Sequence, residues 1–374
     1  MSARPTSSSA SSSSSSSPFI STTCPPTSWP TPLYSADAEN NDPERYRFGK
    51  YVNTPKVVAI VGAPMSLGQP QFGVDQGPAY IRSAGLHQRL ELDHWKIDDR
   101  GDCDFSRCED EGRSSASKAA NGKAVSDSPL ALNSLSVGHA NYLVYKAATK
   151  SAQEGKFVLT LGGDHSIAVG SIAAIIKARP ETAILWVDAH ADINTPTSSG
   201  SKNIHGMVVS FLMNIDNCRN TIPGFEWMQS ESIPLLRPDR IAYIGLRDLD
   251  WGEKQIIKNL NLKAFTMKDV DHLGIAEVMA RATHHLTSRV DRPLHLTFDI
   301  DSIDPMYAPS TGTRVSGGLT YREAYYICET MAETGKLASM DLVEVNPSIN
   351  ETGQAATVEM AVGLCASALG NRIL

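Results

Sequence analysis

Six short segments of this chain are apolar almost without interruption: Val57–Val61, Phe157–Leu161, a run beginning at Ile184, Ile241–Leu246, Leu294–Phe298 and Leu337–Val345. A strand exposed on one face alternates apolar and polar residues, whereas a continuous run marks a strand covered on both faces. Helical spacing fills the gaps from Leu135 to about Ala152 and from Ile167 to Lys177. Strands and helices alternating at these lengths build βαβ units around a parallel sheet, so the expected class is α/β. Sites in such sheets lie beyond the C-terminal ends of the strands, which is where His165, Asp188, Arg247, Asp299 and Glu344 fall.

Three of those strand ends are chemically loaded. Trp186-Val187-Asp188-Ala189-His190-Ala191-Asp192 turns abruptly polar, and on an extended chain Asp188, His190 and Asp192 project to one side. Leu161-Gly162-Gly163-Asp164-His165-Ser166 ends in an imidazole, and Leu296-Thr297-Phe298-Asp299-Ile300-Asp301 in two carboxylates sharing a face. An isolated Asp-x-His-x-Asp is as well explained by a solvated strand end; two further strand ends that turn to imidazole and carboxylate argue for ligands. Oxygen-rich sets with a minority of imidazole suit hard or borderline divalent metals such as manganese, while structural zinc favours thiolate. Four carboxylates formally balance two divalent cations, so a bridged pair is the economical arrangement.

The rest of the composition narrows the classes. The formal charge of −7, with Lys and Arg dispersed, leaves no footprint for nucleic acid. No window has the apolar length of a membrane helix. The six cysteines (Cys24, Cys103, Cys108, Cys218, Cys328, Cys365) are scattered without C-x-x-C pairs and read as reduced thiols. Residues 1–55, with the serine run Ser7–Ser17, several prolines and acids from Asp37 to Glu44, are expected to be a disordered leader. A mitochondrial transit peptide is the alternative, against which stand a lone Arg4 before Arg45 and no amphipathic basic pattern, so a cytoplasmic protein is expected. Gly77 and Pro78 open a helix running to Leu90, and Asp98–Ser128, low in complexity near 101–128, is expected as an exposed insertion.

The motifs L-G-G-D-H-S, D-A-H-A-D, F-D-I-D-S-I-D-P and E-V-N-P, in that order, resemble the ureohydrolases, and among them the arginases. The resemblance covers residues 56–374 as a single catalytic domain. It implies a three-layer α/β/α fold with a central, mostly parallel sheet (arginase/deacetylase-type) and a binuclear centre of two Mn2+ per chain. It also implies hydrolysis of L-arginine to L-ornithine and urea by a metal-bridging hydroxide, a place in arginine metabolism and the urea cycle, and usually a homotrimer. One manganese would be held by His165, Asp188, Asp192 and Asp299, the other by His190, Asp188, Asp299 and Asp301, with Asp188 and Asp299 bridging. Asp192 would also orient the hydroxide, His205 would shuttle protons, and Glu344 would bind the guanidinium. Asn194 and Ser201, with Ser199 and Asn203 through water, would take the α-carboxylate; Asp250, with Glu253 through water, would take the α-ammonium. Thr313 is counted with the substrate-binding positions.

The chemistry agrees. A guanidinium carbon is cationic and resonance-stabilised, so it needs a strong nucleophile, and lowering a water's pKa from about 15.7 to about 7 is worth roughly 12 kcal/mol. A histidine titrating near neutrality adds typically ~10²- to 10⁴-fold by proton transfer, although without the family resemblance His205 reads more readily as a buried histidine satisfied by backbone. Donors in the Asn194–Asn203 loop and acids at Asp250 and Glu253 favour arginine over agmatine, which lacks the carboxylate. An agmatinase or other guanidino-compound ureohydrolase is the alternative enzyme, and a regulator binding ornithine carbamoyltransferase the alternative class. The chain departs from the arginase pattern at Lys202, Thr297 and Arg314, where a small residue, a serine and a proline are usual. Arg322 and Glu323 match positions near subunit contacts, or form a surface ion pair. His87, His94, His139, His284 and His285 read as surface or capping histidines, Asp304 as a turn residue near the ligands, and Trp186 as core.

Overall fold

The computed structural model describes residues 49–108 and 127–372; the leader up to residue 48 and residues 109–126 of the expected insertion lie outside them. Eight strands form one sheet: β1 (Val57–Ala63), β2 (Lys96–Asp102), β3 (Phe157–Gly162), β4 (Ala183–Val187), β5 (Ile241–Leu246), β6 (Lys263–Thr266), β7 (Leu294–Asp299) and β8 (Leu337–Val343). Their order is β2-β1-β3-β8-β7-β4-β5-β6, and each pairing between neighbours is parallel.

Both faces are covered, as the continuous apolar runs require. Alternate residues of the middle strands feed two cores. Ile60, Leu159, Leu185, Leu296 and Met340 pack against the helices Ile275–Thr287, Tyr321–Glu333 and Gln354–Ala368. Val61, Val158, Ile184, Trp186 and Tyr243 pack against Ser134–Gln153, Ala168–Ala178 and Val208–Met213. The result is the three-layer α/β/α arrangement.

Four features differ from the sequence reading. The expected insertion begins with an ordered edge strand, β2, which hides from hydrophobic pattern because it is charged. Asp98 pairs with Lys156 at 2.7 Å and Asp99 with Arg82 at 2.8 Å, a charged edge of the kind that resists further strand addition. The edge strand β6, only four residues long, was likewise not legible. At the N-terminal side, order already exists at Gly49: Val52 is buried, and Lys50 N–H donates to the Gly335 carbonyl at 3.1 Å. The helix opened by Gly77 and Pro78 runs to Ser83 and restarts at Leu86 after Gly85, whose φ of 94° ends the first segment.

The strand order matters for function. It sets β3, β8, β7 and β4 side by side, so the polar residues following each of them gather along one edge although they are far apart in the chain.

Candidate metal centre

The ligands converge through turns rather than through continued strand. β4 stops at Val187, and Asp192 sits at φ 48°, so the one-sided projection expected of an extended Asp188–Asp192 segment is replaced by a bent loop. The same local device recurs at three strand ends. Asp188 Oδ1 accepts from His190 N–H at 2.7 Å, Asp299 Oδ1 from Asp301 N–H at 2.8 Å, and Asp164 Oδ1 from Ser166 N–H at 2.9 Å. A carboxylate bonding the backbone two residues on is an Asx-turn, and it throws the intervening chain sharply over the sheet edge.

The outcome is a cluster of two imidazoles and four carboxylates. His165 Nδ1 lies 3.1 Å from Asp188 Oδ2, 3.0 Å from Asp192 Oδ2 and 3.2 Å from Asp299 Oδ2. His190 Nδ1 lies 3.4 Å from Asp188 Oδ1 and 3.2 Å from Asp301 Oδ2. Asp188 therefore faces both imidazoles with different oxygens, as a bridging carboxylate can. Asp299 turns Oδ2 to the first group while Oδ1 takes the Asp301 amide. Two ligand groups of metal-binding size result, His165/Asp188/Asp192 and Asp188/His190/Asp301.

Electrostatics show what this cluster lacks. Burial pushes Asp299 well above the usual carboxylate range, reinforced by Asp301 and Asp188; burial and then Asp188 push Asp192 up to about 6. Asp188 is held far below its ordinary value because its hydrogen bonds to His165 and His190 outweigh burial. Both imidazoles are raised despite burial, by the acids around them. Among the described residues, no Lys or Arg pairs with any of the four acids; Arg247 spends its guanidinium on the Asp301, Ser302 and Val315 carbonyls. Buried like charges with so little compensation are costly unless cations sit among them, and the donor set fits two hard or borderline divalent ions.

Residues around the cluster hold its side chains in place, contacts that the sequence reading did not assign to them. His165 Nε2 is 2.9 Å from Thr297 Oγ1, and the His165 ring stacks on Trp186 at 4.4 Å. Trp186 Nε1 donates to Asp188 Oδ2 at 3.0 Å, so this residue is more than core filling. Thr313, counted with the substrate-binding positions, donates through Oγ1 to Asp301 Oδ2 at 2.8 Å.

The remaining candidates line up beside the cluster. Glu344, buried and at φ 62°, accepts from His165 N–H through Oε1 at 2.8 Å, and the same oxygen lies 3.4 Å from His205 Nδ1. Burial opposes a charge on His205, but Glu344 outweighs it and lifts the imidazole to about 9. Asn194 Nδ2 donates to Asp250 Oδ2 at 2.8 Å, which places the two expected ends of the recognition site in contact. Glu253 is buried with its oxygens on the Ile193 and Asp250 amides, at 3.3 and 3.0 Å. Ser199 Oγ accepts from Lys202 N–H and Ser201 Oγ from Asn203 N–H, at 3.0 and 3.3 Å. Lys202 curls its ammonium onto the Pro196 carbonyl at 3.2 Å, closing its own loop. Glu323 forms a capping box with Thr320 at the start of the helix Tyr321–Glu333. Asp304 holds the Gly317 and Gly318 amides, the turn role expected of it.

The arginase family model matches residues 56–370. Arginase-1 of Rattus norvegicus is 41% identical over 323 residues, covering 85% of this chain and 94% of the relative. The hepatic arginase of Aquarana catesbeiana is 43% identical over 322 residues, with the same coverage. The solved arginase of Bacillus caldovelox superposes with a TM-score of 0.74 at 37% identity, over 85% of this chain and 99% of that one. With motifs, sheet and ligand cluster all in agreement, the chain belongs to the arginase family.

Proposed function

We propose that the cluster holds two Mn2+ ions and that the chain uses them to hydrolyse L-arginine to L-ornithine and urea. Membership of the arginase family makes the chain a hydrolase acting on arginine; the proposal concerns the metal pair and the residues. One observation carries it: Asp188 presents one oxygen to His165 and the other to His190. One ion would take His165, Asp188, Asp192 and Asp299, and the other Asp188, His190, Asp299 and Asp301. Bound there, the ions supply Lewis-acid activation of water, the chemistry a guanidinium carbon demands.

The protein side chains do the rest. Glu344, aimed by the His165 amide, pairs with guanidinium N–H groups and sets the carbon in line for attack. Asp192 accepts a hydrogen bond from the attacking water and turns its lone pair toward that carbon. Attack makes the carbon tetrahedral; the proton on the new oxygen then passes through Asp192 to the δ-nitrogen. The carbon–nitrogen bond breaks as the urea carbonyl forms, and His205 gives its proton to the leaving amine and is recharged by the proton the water released on activation. Ornithine thus leaves as an ammonium and urea remains. Once the substrate cation shares Glu344, the raised imidazole loses part of what held its proton, which favours the transfer. Asn194, Ser199, Ser201 and Asn203 receive the α-carboxylate and Asp250 the α-ammonium. Glu253, held by backbone amides, keeps the loop bearing Asp192 and Asn194 against the helix Trp251–Asn259. A homotrimeric, cytoplasmic enzyme is part of the same reading; the free thiols Cys103, Cys108, Cys218, Cys328 and Cys365 suit a reducing compartment, and no helix among the described residues is long and apolar enough to cross a membrane.

Elemental analysis combined with a substrate panel tests the proposal. Two metals per chain and urea release from arginine in preference to agmatine are expected. Asp301→Ala is expected to lose one metal and nearly all turnover. An Asp301→Ala protein that keeps both metals removes this residue from the site.

A further inference from the structure

A cavity of about 530 Å³ lies where β5 and β6 begin, at the opposite end of the sheet from the ligand cluster. Six residues of strand place the two regions roughly 20 Å apart. Its basic lining comes from three elements: Lys263 at the start of β6, Arg281, His284 and His285 on the helix Ile275–Thr287, and Arg289 and Arg292 before β7. Asp239 is the acid that faces them, and it is already engaged by Arg237 at 3.0 Å. Arg281 is paired with Glu277 at 2.7 Å. Counting these neighbours and theirs, Lys263, Arg237, Arg240, Arg281, Arg289 and Arg292 stand against Asp239, Glu277 and Glu181, a local excess of positive charge in a protein whose formal charge is −7.

Arg292 is the informative member. It is 2% exposed, and its Nε and Nη1 have no hydrogen-bond partner; the nearest carboxylate oxygen, on Asp239, is 3.7 Å from Nη1. His285 Nε2 is likewise buried without a hydrogen-bond partner. Burial, then Lys263, hold the His285 imidazole below its ordinary range, with Arg289 acting in the same direction and Asp239 against it. Guanidinium groups only donate, so unfilled buried donors in a positive cavity call for an acceptor that also carries negative charge.

We propose that this cavity binds a small phosphate-bearing anion, at a site separate from the hydrolytic centre. The donors approach from a strand, a helix and a loop, which suits the several oxygens of a tetrahedral phosphate better than the single plane of a carboxylate. The excess of cations favours a dianion over a monoanion. The ligand is small because Lys and Arg are dispersed over the rest of the chain, so no basic stripe extends the site along a polymer.

Calorimetric titration of the metal-loaded full chain with phenyl phosphate, at constant ionic strength, tests the assignment. One site per chain is expected. Arg289→Glu and Lys263→Glu are each expected to weaken binding by about tenfold or more, as is Arg292→Met. Lys96→Glu, the same charge reversal on β2, should change it less than about twofold. Arg289 is exposed, so its variant keeps the test open should Arg292→Met fail to fold. Arginine turnover is expected to persist in the Arg289 and Lys263 variants, which shows that the fold survives. Absence of binding, equal affinity in the wild type and both charge-reversal variants, or an equal loss in Lys96→Glu overturns the site. Malonate binding as tightly as phenyl phosphate overturns the choice of phosphate.

Discussion

Replacing Thr297 by valine isolates what a single hydroxyl does for the metal centre. For His165 Nδ1 to offer a lone pair toward Asp188, Asp192 and Asp299, the ring proton must sit on Nε2, and Thr297 Oγ1 at 2.9 Å receives it. Both residues are fully buried, so no water stands ready to replace the hydroxyl. Valine has nearly the same shape and suits a strand, so cavity formation and β propensity contribute little. What remains is an orphaned buried N–H, costing about 1–3 kcal/mol. If the ring instead shifts its proton to Nδ1, the ligand is lost. At ~1.4 kcal/mol per tenfold, either route weakens metal binding by roughly 5- to 100-fold, in line with the usual effect of removing a partner of a metal-bound histidine. Competition with a fluorescent chelator measures it, and Thr297→Ser, which keeps the hydroxyl, is expected to stay within about threefold of wild type. Valine binding metal as tightly as threonine, or serine falling as far as valine, would refute the reasoning.

Gly163 marks where β1, β3 and the Glu344 loop cross. A Cβ there would lie 1.9 Å from the Met65 carbonyl oxygen, so Gly163→Ala is expected to destabilise the protein by about 3 kcal/mol or more, seen as a large fall in melting temperature or loss of soluble protein. Asp99 is depressed below its usual range because Arg82, then the Gly101 amide, outweigh burial. Its stabilisation is thus present above the unfolded carboxylate pKa near 4 and is lost as pH falls through the lower folded value. Asp99→Asn should cost about 1 kcal/mol in urea denaturation at pH 7, with the gap to wild type narrowing below about pH 4; a gap that widens toward low pH contradicts the pairing.

The cluster of two imidazoles and four carboxylates was legible because each strand announces its end: an apolar run breaks into acids and histidines, spaced two apart after β4 and β7, and parallel-sheet topology assigns those ends to one edge. The means of convergence was not legible. Asp188 and Asp299 each bond the backbone two residues on, and the Asp-x-His and Asp-x-Asp spacings are the visible trace of those turns. Trp186 and Thr297 stayed hidden because an apolar residue and a β-branched one inside an apolar strand carry no polar signal. Their polar atoms matter only after register sets Trp186 beside Thr297 and His165 folds over both. β2 was lost for the opposite reason, its charges reading as loop until Arg82 and Lys156 pair with them.

Two non-glycine residues of the site hold left-handed backbone, Asp192 at φ 48° and Glu344 at φ 62°. Such a conformation costs on the order of 1 kcal/mol or more, and short-chain Asp and Asn tolerate it better than glutamate does. Asp192 can therefore be where it is partly by local preference, its carbonyl accepting from Val209 N–H at 2.8 Å. Glu344 has no such preference. It is held by its amide on the Gly163 carbonyl at 2.8 Å and by its carboxylate on the His165 amide at 2.8 Å. Both anchors belong to the strand end that carries the first histidine. Reach explains the choice of residue: an aspartate would relieve backbone strain but, being one methylene shorter, would leave the His165 amide unbonded and its oxygens farther from His205. The strain and the length of Glu344 are thus two consequences of one requirement, a carboxylate fixed relative to the His165 imidazole.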